Sequence, residues 1–147
     1  NALAGVGHAD GLPVLRANLS SANAGLRRAA VKGLAEWPSP DPIDDLLRVA
    51  QSAPGGSPIQ VLALRGYVRQ VQVPSGRTPE NSAKLLAIAM KASHRADERK
   101  VVLAALQRTP AAESLEIAKA AESDPEIASE ARVAVAALQR ALAARRN

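Results

Sequence analysis

Four stretches of the chain carry the same spacing of large and small apolar residues. With Gly33, Gly66, Ala105 and Ala137 set in one column, the next residue is Leu34, Tyr67, Leu106 or Leu138. Two before the column stand Val31, Leu64, Leu103 and Val135, and three before stand Ala30, Ala63, Val102 and Ala134. The column recurs after 33, 39 and 32 residues. A period of this size built from two helices is the mark of an α-solenoid, in which each repeat buries its apolar face on the next. The small residue has a physical reason, because stacked first helices must approach closely there. Leu34, Leu64, Leu103 and Leu138 are therefore expected to be buried between helices. The second helices share a weaker signature: Leu47 with Ala50, Leu86 with Ala89, and Leu115 with Ala118. The longest period contains the longest joint, residues 73–78, where a repeat tolerates an insertion.

Apolar residues fall at helical spacing nearly throughout; Leu26, Ala30, Leu34 and Trp37 lie on one face. Prolines mark the joints. Asp41-Pro42, Ser57-Pro58, Thr78-Pro79, Thr109-Pro110 and Asp124-Pro125 each combine a side-chain oxygen suited to an N-cap with a proline suited to the first helical position. The pattern predicts eight helices, over 12–20, 25–37, 42–53, 58–72, 79–93, 97–108, 110–122 and 125–145. Short joints make neighbours antiparallel. The fold expected is all-α, a right-handed α-solenoid of about four antiparallel helix pairs. It reads as a single repeat domain over 1–147, with repeats over 12–53 (including a leading partial repeat), 57–93, 95–122 and 124–147. The chain does not open on Met and reads as part of a longer protein.

The stretch Leu26 to Leu47, LRRAAVKGLAEWPSPDPIDDLL, resembles a short bacterial HEAT repeat, and Lys100 to Ala118, KVVLAALQRTPAAESLEIA, is similar to another. The resemblance covers about residues 12–145. HEAT repeats often carry a basic residue early in the first helix, paired with an acid in an inter-repeat ladder. Arg27 and Arg99 match the basic position; Gln60 and Ala131 do not, and no regular acid precedes them, so a continuous ladder is not expected. The resemblance implies a protein-interaction or spacer scaffold, whose partner is another protein or a neighbouring domain of the same chain. Similar bacterial repeats stand beside exported domains, which points to the cell envelope or periplasm. It also admits two alternatives: a nucleic-acid-binding HEAT-like solenoid, and a HEAT-type lyase or docking module for a tetrapyrrole-bearing protein.

Composition argues against chemistry. There is no Cys, which removes disulfides, thiolate metal sites and cysteine nucleophiles. Trp37 and Tyr67 are the only aromatics, too few for base-stacking platforms, and both continue apolar helix faces as core residues. His8 and His94 have no ligand spacing. Asp41, Asp44 and Asp45 cluster at a helix start, where carboxylates complement the helix dipole, and lack the spacing of a calcium loop. Gly55 and Gly56 have no phosphate-loop context and read as a turn after a helix. No nucleophile, base and orienting group form a set, so no enzyme activity, cofactor or metal is expected. No apolar run reaches the length of a membrane span.

One feature points to a partner. The positions five before, one before and three after the aligned small residue are four apart, hence on one helix face. They hold Arg28, Lys32 and Glu36; Val61, Arg65 and Arg69; Lys100, Ala104 and Arg108; and Arg132, Ala136 and Arg140. Eight of these twelve are basic in a chain of net charge +5. Stacked repeats would align them as a ridge, with Arg145 and Arg146 extending it. Such a ridge attracts an acidic partner, nucleic acid included. The bland reading is a solvated outer face whose long basic side chains shield Ala-rich helices.

Overall fold

The computed structural model describes residues 11–146. Among them the chain is all-helical, with eight helices and no strand. They are α1 Gly11–Asn18, α2 Ala24–Ala35, α3 Ile43–Ser52, α4 Pro58–Gln72, α5 Pro79–Ala92, α6 Ala96–Gln107, α7 Ala112–Ala121 and α8 Ala128–Arg146. Each is the helix expected from the pattern, with ends displaced by three residues at most.

Helix starts separate the proline joints into two kinds. Ser57 and Thr78 cap as expected, their hydroxyls accepting from the amides of Gln60 at 3.3 Å and Asn81 at 3.1 Å. The other three pairs do not cap. Asp41 accepts instead from the Ser39 hydroxyl at 2.8 Å, and α3 starts from Pro42 with no side-chain cap. The Thr109 hydroxyl turns back to donate to the Ala105 carbonyl at 2.8 Å, closing α6, so α7 starts after Ala111. Asp124 accepts from the Glu126 amide at 3.1 Å, and its carbonyl accepts from Ile127 at 3.1 Å. That extra turn buries Ile127 and delays α8 to Ala128. In each case the oxygen has a nearer competitor than the helix amides.

The helices gather into two compact units, the boundary falling between Ser75 and Gly76 in the long joint. In the first unit α1 packs on α2, α2 touches α3, and α4 lies against both α2 and α3. In the second, α5 packs on α6 and α7, α6 touches α7, and α8 lies against both α6 and α7. The same three-helix arrangement thus occurs once in each unit.

The core follows the aligned columns. All twelve large and small apolar residues around the column, from Ala30 to Leu138, are buried. Trp37 is buried with them, so both aromatics, Trp37 and the column residue Tyr67, lie in the core. Gly33, Gly66 and Ala105 are buried, and Ala137 is half-buried. Gly66 shows why its position must be small. A Cβ built there would stand 2.5 Å from the Ala35 Cβ and 3.0 Å from the Ala35 Cα. The two first helices of this unit, α2 and α4, meet backbone against backbone at that point.

Two expectations need correction. Leu26 is 47% exposed, because the face of α2 that meets neighbours begins at Ala30, one turn later. The second-helix signature holds only in α5, with Leu86 and Ala89. In α3 the buried pair is Leu46 and Ala50, in α7 it is Ser114 and Ala118, and Leu47 and Leu115 are half-buried. A spacing of four, one full turn, carries the inner line there.

Candidate interaction surface

The eight basic residues of the aligned columns divide by what their charges do. Arg69 is committed to the fold. Its guanidinium donates to the Ala35 carbonyl at 2.9 Å and the Trp37 carbonyl at 3.4 Å. Beside it the buried Gln70 amide donates to Leu34, Ala35 and Trp37 carbonyls at 3.2, 3.3 and 2.8 Å. Together they donate to carbonyls at and just beyond the end of α2, where a cation also complements the helix dipole. Lys100 pairs with Glu130 at 3.6 Å, an acid on α8 outside the aligned columns. The remaining six, Arg28, Lys32, Arg65, Arg108, Arg132 and Arg140, are exposed. None of the six has a side-chain hydrogen bond or ion pair among the described residues. Three belong to the first unit and three to the second.

Arg145, read as an extension of the ridge, donates to the Pro110 carbonyl and lies 3.9 Å from Glu80. It closes the turn after α6 in the second unit, as Arg69 closes the turn after α2 in the first. Arg146 is exposed.

The two ladder positions also acquire partners. Arg99 pairs with Asp124 at 3.1 Å and Glu126 at 3.6 Å, acids that follow it in the chain rather than precede it. Arg27 donates to the Ser21 carbonyl at 2.6 Å. The rungs are different in kind, and no continuous ladder runs through the described residues.

Several of the remaining polar candidates make local contacts within the fold. Asp45 pairs with Arg16 at 2.9 Å and Arg48 at 3.8 Å, Asp44 lies in the first turn of α3, and Asp41 holds Ser39. Glu98, missed in the sequence, is buried and caps α6 by accepting from the amides of His94 at 3.0 Å and Arg95 at 3.1 Å. His94 is exposed, and His8 lies outside the described residues. Gly56 has a φ of 76°, the left-handed turn conformation expected of that glycine pair. No cluster of three or more metal-ligating side chains occurs among the described residues. No helix among them is long and apolar enough to cross a membrane.

The first unit also holds an open groove of about 490 Å³ between α2, the end of α3 and the start of α4. Leu19, Val49, Pro54 and Ile59 give it apolar walls, and Arg27 and Arg28 stand on the α2 side. No carboxylate among the described residues lines it. No single column signals this groove, because its walls come from three helices and two joints. No protein family, no curated protein and no solved structure matches the chain.

Proposed function

We propose that the chain is a right-handed HEAT-like α-solenoid that serves as a non-catalytic protein-interaction or spacer scaffold, with an acidic protein surface as its partner. The architecture is supported by the contact of Gly66 with Ala35 and by the recurrence of one three-helix arrangement in both units. The observation that carries the function is the fate of the aligned cations. Among the described residues six remain exposed and unpaired, while Arg69, Lys100 and Arg145 are consumed by the fold. Exposed like charges repel one another, and an acidic partner relieves that repulsion.

Fluorescence anisotropy with labelled polyglutamate and with a short DNA duplex tests the reading. Polyglutamate is expected to bind, and to bind less as salt rises, since exposed charges are screened over about 8–10 Å near physiological ionic strength. Arg28→Glu with Arg65→Glu is expected to weaken that binding and leave the helical content unchanged. Preference for the duplex, with log affinity falling about 0.9 per phosphate neutralised against log salt, replaces the protein partner with nucleic acid. Binding to neither returns these side chains to a solvated face.

A further inference from the structure

We propose that the groove in the first unit is the seat for a short segment of a partner protein in which an aliphatic side chain stands beside a carboxylate. The inference rests on the interaction reading above and narrows it to one place. The groove volume of about 490 Å³ lies within the range of about 300–1,000 Å³ typical of sites that enclose a small ligand or a few side chains. Val49 and Ile59 are half-buried, as is Leu19, so each keeps apolar surface in contact with water that an aliphatic side chain would displace.

Charge complementarity selects the neighbour of that side chain. Arg27 and Arg28 lie at one wall, and none of the described lining residues is acidic. Arg27 already spends one of its donors on the Ser21 carbonyl, which holds the guanidinium in place. Arg28 is exposed and makes no hydrogen bond or ion pair among the described residues. The other polar side chains at the rim are engaged: Ser52 donates to the Arg48 carbonyl at 2.7 Å, and Ser57 caps α4. The recognition chemistry left over is one arginine fork, suited to a carboxylate, beside an apolar slot. A nucleotide fits poorly, because no aromatic ring lines the slot to stack on a base.

The probe is a synthetic peptide with two leucines flanked by glutamates, added to the full chain and followed by amide chemical shifts. Expected are shifts centred on Val49, Ala53 and Ile59, with binding that requires both residue types. Serine in place of the leucines, or lysine in place of the glutamates, abolishes it. Arg28→Glu weakens it by about fivefold, the upper end of one exposed charge contact. Ala53 lines the groove, and Ala53→Leu, which fills it without altering charge, weakens binding too. Buried Trp37, through its emission, verifies that each variant is folded. Equal binding of the serine peptide overturns the groove while the interaction reading stands, as do shifts confined to Lys32 and Arg65. Failure of every acidic peptide and of polyglutamate overturns both.

Discussion

Gly66→Ala adds one carbon where α2 and α4 touch. That carbon would lie 2.5 Å from the Ala35 Cβ and 3.3 Å from a Leu46 methyl. Carbons pack at about 3.5–4.0 Å, so the two helices must separate by about 1 Å. The Ala35 Cβ is bonded to backbone and has no rotamer to yield. Overpacking of this kind costs about 1–3 kcal/mol. Alanine gains about 0.5–1 kcal/mol over glycine inside a helix, leaving a net loss of up to about 2.5 kcal/mol. At about 2–4 °C per kcal/mol for a chain of about 150 residues, Tm falls by up to about 10 °C. The assay is thermal unfolding followed by far-ultraviolet circular dichroism, run as a cycle with Ala35→Gly. The cost of Gly66→Ala should shrink in the Ala35→Gly background, by a coupling of about 0.5–3 kcal/mol. A rise in Tm, with the same effect in both backgrounds, refutes the close approach, since helix propensity alone would then account for the change.

Leu103→Ala removes a fully buried side chain and should cost about 2–5 kcal/mol in urea unfolding; a loss near zero contradicts its place in the core. Gln70→Met, of similar size, removes a buried amide that donates to three carbonyls at the end of α2, each of which keeps a second donor, so the same measurement should show a loss of about 0.5–1.5 kcal/mol. Lys100→Ala breaks a half-exposed pair with Glu130 and should change stability by no more than about 0–1 kcal/mol, with the difference vanishing at high salt. A large loss there means that Lys100 does more than pair on the surface.

The fold was legible where one chemistry repeats. The aligned apolar columns find all twelve of their buried residues because burial of a stripe at helical spacing is a sum over many side chains. Joints were less legible, because a single oxygen has several partners within reach. Ser57 and Thr78 cap a helix, while Thr109 closes the helix before it and Asp124 forms a turn of its own. The surface was the least legible. Arg69 shares a column with Arg65, yet one is tied to the end of α2 and the other is free among the described residues. Only the packing of α4 on α2 separates them. Likewise Lys100 meets Glu130, thirty positions later, through the contact of α6 with α8. The groove beside Arg28 has no sequence signal of its own, since Leu19, Val49 and Ile59 sit in three different patterns.

Stacking of successive first helices at the small-residue column is the premise of the repeat architecture, and cysteine pairing tests it most directly. The chain contains no Cys, so an introduced pair reports only on itself. A disulfide needs Cβ atoms about 3.5–4.5 Å apart, which α2 and α4 reach at the column after a separation of about 1 Å. Ala35→Cys with Gly66→Cys should form an intrachain disulfide under mild oxidation, seen by mass spectrometry as the loss of both thiols. Ala35→Cys with Arg65→Cys, which places the second thiol on the exposed face, should stay reduced. Faster closure of the Arg65 pair than of the Gly66 pair contradicts the alignment on which the account is built.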